Sequence, residues 1–220
     1  MGAAIAVLSS PLQAESARDI LMGAAFGSPD QTTALSKIGL ALASADAAIR
    51  RNPQDYSARL QRGLAISYRG KLTRSRTDLL TARRELEAVA AANPRDPEAQ
   101  MAVAGWHLGA VIELGPFMAR SALGARTAKG NEALGRSLAL GGDRPSILAL
   151  ASMERIQLNP ADVAGARRLA EAAAQLRANT PFDRVMQRQA GTLLGPLRQG
   201  DGKVAAAVAK RLMPFGRVGK

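Results

Sequence analysis

The sequence predicts an all-α protein of about five antiparallel helical hairpins, and three observations carry that reading. The apolar fraction is 47% while aromatic residues make up only 3%, so the core has to be built from Ala, Leu, Val, Ile and Met. Ala and Leu are strong helix formers with little preference for strand. No run of alternating Val, Ile, Thr or aromatic residues occurs, which argues against a sheet. Between Pro and Gly breaks the apolar residues recur at helical spacing. A chain of 220 residues is long enough to bury a core of its own.

The first fourteen residues read apart from the rest. An apolar run from Ala3 to Leu8 is followed by Ser9, Ser10 and Pro11, and Leu12 and Ala14 fit the positions before a cleavage site. This is the pattern of a secretory signal peptide, although no Lys or Arg lies between Met1 and the apolar run. On this reading residues 1–14 are a leader, residues 15–220 are a single domain, and the protein is periplasmic; without the leader it is cytoplasmic. Ala6 stands where N-myristoylation needs Ser or Thr.

The remaining elements follow from punctuation. Asn52-Pro53-Gln54-Asp55, Asn93-Pro94-Arg95-Asp96 and Asn159-Pro160-Ala161-Asp162 are three copies of Asn-Pro-x-Asp. Pro disfavours helix in the residue before it and is tolerated in a first helical turn. The Asp that follows suits the free N–H groups of a helix start. Asp143-Arg144-Pro145 and Asn179-Thr180-Pro181-Phe182-Asp183 are weaker versions of the same break. Gly27, Gly70, Gly115, Gly141 and Gly200 mark helix ends. The predicted pairs are 15–26 with 30–51, 54–69 with 71–92, 96–114 with 116–140, 146–158 with 161–178, and 181–198 with 201–213. Successive pairs open at Pro53, Pro94, Pro145 and Pro181, at spacings of 41, 51 and 36 residues. The third pair is therefore predicted to be the longest.

Residues 41–70, from Ala41 through Asn52-Pro53-Gln54-Asp55 to Leu64-Ala65-Ile66-Ser67-Tyr68-Arg69-Gly70, resemble one tetratricopeptide repeat running into the next. Gly63, Tyr68 and Gly70 resemble the small and aromatic positions of that family, and Ala104-Gly105-Trp106-His107-Leu108-Gly109 repeats the theme. The resemblance covers residues 31–180, departs from the family in its longer period, and leaves the register around Asn159-Pro160 ambiguous. It implies a superhelical stack of hairpins, a tetratricopeptide-like solenoid, whose concave face binds protein segments or peptides. The first helices of the pairs line that groove in the related family. Tyr56, Arg59, Arg62, Tyr68, Arg69, Trp106 and His107 are the candidate partner-binding residues on this basis.

Charge adds a second theme. The formal net charge is +12, with 24 Arg and 6 Lys. Such a balance fits an anionic partner, and it also fits the coding bias of a GC-rich genome. From Arg50 to Arg84 there are ten basic residues against Asp55 and Asp78, which makes a basic hairpin. That hairpin is either a docking surface for an acidic partner or lipid headgroups, or a solvated face whose Arg stems cover apolar surface. Nucleic acid is the weaker partner, since aromatic residues for stacking are few and export would separate the two.

Little in the sequence points to catalysis. Cysteine is absent, which excludes disulfides, thiolate metal sites and a Cys nucleophile. The single histidine, His107, has no carboxylate at helical spacing and no nucleophile elbow beside it. Packing of Trp106 between hairpins, with His107 lining the groove or capping a neighbour, is the plainer role for the two. Glu85 and Glu87, two apart on a helix, face different directions. Gly124-Ala125-Arg126-Thr127-Ala128-Lys129-Gly130 lacks the spacing of a phosphate loop. The expectation is a non-catalytic scaffold with no cofactor and no metal. A periplasmic solute-binding or transporter-associated component is the alternative, and anionic-partner binding through residues 50–84 is a further one.

Overall fold

A computed structural model describes residues 16–218, all of whose regular elements are helical. The signal-peptide reading of residues 1–14 lies outside the described residues. The helices are α1 (Ala17–Gly27), α2 (Gln31–Arg51), α3 (Tyr56–Thr73), α4 (Arg76–Ala92) and α5 (Pro97–Leu114). A three-residue turn, α6 (Pro116–Met118), runs into a π-helical segment, Ala119–Leu123. Then follow α7 (Thr127–Gly141), α8 (Pro145–Leu158), α9 (Val163–Gln175), α10 (Pro181–Arg198) and α11 (Gly202–Leu212).

The three Asn-Pro-x-Asp copies fold alike. The backbone N–H of Asp55, Asp96 and Asp162 donates to the carbonyl of Asn52, Asn93 and Asn159, at 2.9, 3.1 and 2.9 Å. Each Asn ends a helix and each Asp caps the next, accepting from Ala58, Glu98 and Gly165 N–H respectively. The motif is thus a complete turn of its own. Pro stands inside that turn rather than inside the following helix, so α3 and α9 start two residues later than the sequence predicts.

Two further expectations are corrected. Gly70 does not end a helix. It lies within α3, where a Cβ would meet the backbone N of Leu79 at 3.0 Å, so its missing side chain lets α4 approach closely. The turn falls instead at Arg74, in the left-handed region at φ 56. The predicted helix over 116–140 is broken. Gly115 (φ 77) and Gly124 (φ 68) bracket residues 116–123 at positive φ, which glycine adopts without strain, and the Arg83 guanidinium packs against Gly124. The surplus length of the third pair is spent on this finger, not on a longer hairpin.

Packing repeats along the chain. The short connections fold α1 on α2, α3 on α4, α5 on α7 and α8 on α9. The first helix of each pair also meets the first helix of the next, α1 with α3, α3 with α5, α5 with α8, and α8 with α10. Second helices meet the next pair as well, α2 on α3, α4 on α5, α7 on α8 and α9 on α10. Alanines dominate the seams: Ala34, Ala41, Ala65, Ala82, Ala99, Ala104, Ala149 and Ala166 are wholly buried. Their small side chains allow the helix axes to lie close together.

The ends of the chain depart from a linear stack. Helix α11 packs on α8 as well as on α10. Beyond it, Phe215 N–H donates to the Ala25 carbonyl at 2.9 Å, and the Phe215 ring meets Tyr68 edge-on with centroids 5.1 Å apart. Phe26 of α1 contacts Phe182 of α10. Arg18 of α1 forms a two-pronged pair with Glu98 of α5, at 3.0 and 2.5 Å, and Arg144 joins the same carboxylate at 2.6 Å. First and last elements thereby share one core with α3.

Candidate functional site

The residues expected in a groove are mostly engaged within the chain. Arg62 and Arg69, seven apart on α3, do share a face, and that face looks toward α2 and α4. Arg62 pairs with Asp46 at 2.7 Å and with Glu85, while Arg69 grips Asp78 through two bonds of 2.7 and 2.8 Å. The paired Arg69 holds the Asp78 carboxyl below its ordinary range. Arg59 is exposed and donates to the Pro53 carbonyl. Tyr68 is covered by Phe215, and burial pushes its hydroxyl up to about 12. The Tyr56 hydroxyl is buried without a partner at the start of α3; burial, with Asp96 nearby, raises its pKa.

Trp106 and His107 tie the second hairpin to the third. The Trp106 indole donates to the Leu79 carbonyl at 3.0 Å, and the Arg83 guanidinium lies over its ring, 5.7 Å from the centroid. His107 is buried; its Nδ1 accepts the Arg126 backbone N–H at 3.3 Å. The proton is therefore on Nε2, which donates to Glu87 Oε1 at 3.1 Å. Lys129 holds the same oxygen at 2.7 Å. Burial lowers the His107 pKa, against the opposing pull of Glu87. Both ring nitrogens are occupied, so neither is free to take a proton from a substrate. Glu85 and Glu87 do point apart, one to Arg62 and one to His107.

The basic hairpin resolves into three groups. Arg62 and Arg69 are neutralised by acids, Arg83 is spent on the Leu123 carbonyl at 2.7 Å, and Arg84 donates to Thr81 Oγ1 at 3.2 Å. Arg50, Arg51 and Arg59 flank the α2–α3 turn. Lys71, Arg74 and Arg76 lie at the α3–α4 turn, beside the finger, and Arg76 donates to the Ala122 carbonyl at 2.9 Å.

Two features were not singled out in the sequence. One is a cleft of about 520 Å³ between α5, α7 and the α8–α9 turn. Its walls include Val111, Leu134, Leu138 and Leu158, with Asn131 and the Arg155–Asp162 ion pair on the rim. The other is the finger itself, where Leu114, Phe117 and Met118 are 47%, 79% and 53% exposed. Its signal was the extra length between Pro94 and Pro145, together with Gly115-Pro116 at a point read as a helix start.

Among the described residues no group of three or more His, Cys, Asp or Glu is placed to hold a metal ion. No described helix is long and apolar enough to cross a membrane. Compared with protein-family models, curated proteins and solved structures, the chain matches none of them.

Proposed function

We propose that the chain is a tetratricopeptide-like α-α superhelix acting as a non-catalytic scaffold, and that it binds a protein or peptide segment in the cleft between α5, α7 and the α8–α9 turn. The superhelical part of this reading is supported by the repeated contact of each first helix with the next first helix. The observation that carries the binding part is the cleft: apolar walls with a few polar groups at the rim suit the apolar face of a bound segment. The inner side of the first helices is a poorer site, because α11 and residues 213–218 already lie against α8, Tyr68 and Ala25. Export to the periplasm belongs to the same proposal, and N-terminal sequencing of the mature chain should then begin at Glu15.

Gly135 supplies the test. It lines the cleft, and a Cβ placed there meets nothing within 4 Å, so Gly135→Leu fills the space without displacing backbone. Helix propensity favours the change by about 0.5–1 kcal/mol, so a loss of binding is not a loss of fold. A photo-crosslinking residue at Asn131 should trap a partner in intact cells. Gly135→Leu should abolish the crosslink, whereas Arg62→Ala should leave it. A crosslink unaffected by Gly135→Leu would refute the cleft.

A further inference from the structure

We propose that the finger at residues 114–126 docks the protein onto an anionic bilayer surface, with Phe117 and Met118 entering the headgroup region. The finger is built to hold these side chains out. Ala119, Leu123 and Ala125 anchor it in the core at 0%, 5% and 1% exposure, while Phe117 and Met118 face solvent. Arg76 and Arg83 fix its far side by bonding the Ala122 and Leu123 carbonyls. Gly115 and Gly124 fix both bends. The apolar exposure is therefore part of a braced turn and not the loose end of a frayed helix.

The charge around it selects the partner. Arg120 and Arg126 belong to the finger, and Arg74 and Arg76 stand at the adjoining turn; all four are exposed. None of the four has a carboxylate within ion-pair distance among the described residues, in contrast to Arg62 and Arg69 on the same hairpin. The acids closest to them along the chain are engaged elsewhere: Asp78 with Arg69, Glu132 with Arg136, and Glu113 facing Lys210 at 3.7 Å. An apolar tip with exposed guanidinium groups on the same finger and at the adjoining turn, none of them paired with a carboxylate among the described residues, matches a bilayer in which phosphates lie outside the acyl region. A partner offering acidic groups alone would satisfy the charges and leave Phe117 and Met118 in water.

The test uses vesicles of phosphatidylcholine with 30% phosphatidylglycerol against pure phosphatidylcholine. The full chain should float with the anionic vesicles at about 0.1 M salt and lose most binding at about 0.5 M. Phe117→Trp should shift to bluer emission on the anionic vesicles alone, since Trp106 is already buried. Phe117→Ser with Met118→Ser should weaken binding about tenfold or more, and so should Arg74→Glu with Arg120→Glu, each with unchanged helicity. Absence of binding to the anionic vesicles would overturn the proposal. So would anionic binding that ignores the Phe117 and Met118 changes, because the surface would then be a site for acidic macromolecules in general. Equal binding to both vesicle types would remove the role of the arginines and overturn it as well.

Discussion

Glu154 is the residue whose chemistry is least compatible with its surroundings. It sits on α8 at 2% exposure, with Oε2 unpartnered and Oε1 so near Gly105 that a Cβ there would come within 3.2 Å. Burial pushes its carboxyl up to about 8. The folded protein therefore holds a proton that the unfolded chain releases in the ordinary Glu range. Stability from this group is fully present below that range and is lost as pH rises toward 8. Glu154→Gln should be more stable than the parent at pH 7.5, and the two should converge near pH 4, as read by urea unfolding across that interval. A constant difference at all pH values would mean that the carboxyl is ionised in the fold. Asp183 takes the opposite course. It is also buried, which opposes ionisation, yet hydrogen bonds from Ser146 and Thr180 hold it below its ordinary range. Neither behaviour was legible in the sequence, because a Glu or Asp on a helix looks the same whichever way its face is turned.

At the level of the helix, most starts are secured by residues of the same turn, and one is secured from a distance. Helix α8 begins after Arg144 with no side-chain cap of its own. Asp183 supplies the missing acceptor from α10, taking Ser146 Oγ at 2.6 Å and Ser146 N–H at 3.3 Å. Its other oxygen completes a capping box with Thr180. One carboxylate thus caps two helices, at about 1 kcal/mol for each cap and more for the buried hydroxyl left behind. Asp183→Ala should cost about 2–4 kcal/mol in chemical denaturation, against about 1 kcal/mol for the exposed cap Asp30→Ala. The sequence showed Thr180-Pro181-Phe182-Asp183 as a weak break, and it carries a full capping box. Element positions were otherwise largely readable, since Asn-Pro-x-Asp carries its turn and cap within four residues. The finger was not. A stretch rich in Ala, Met and Leu satisfies helical spacing whether or not it is interrupted, and the bends at Gly115 and Gly124, both at positive φ, decide the matter. Arg62, Arg69, Trp106 and His107 sit on first helices, and their side-chain partners come from other helices and turns, at separations that no local pattern announces.

For the whole molecule, the contact of the last described residues with the first helix matters most. Phe215 is 5% exposed and occupies the left-handed region at φ 62, a conformation costly for an aromatic residue. Its burial against Tyr68, and the bond from its N–H to Ala25, outweigh that cost. Phe215→Ala should destabilise the protein by about 3 kcal/mol, and hydrogen exchange should quicken in α1 rather than only at the tail. Exchange confined to residues 202–218 would show that the tail is an independent appendage. No sequence pattern announced this closure, since a lone Phe near a chain end has no period to place it. The consequence reaches into biosynthesis. A linear array of hairpins can settle from its beginning while the rest is still being translated. Here the core around Leu21, Ala24 and Ile38 lacks one of its walls until residue 215 has left the ribosome. The first hairpin must wait, partly open, while the intervening helices and then Phe215 are made.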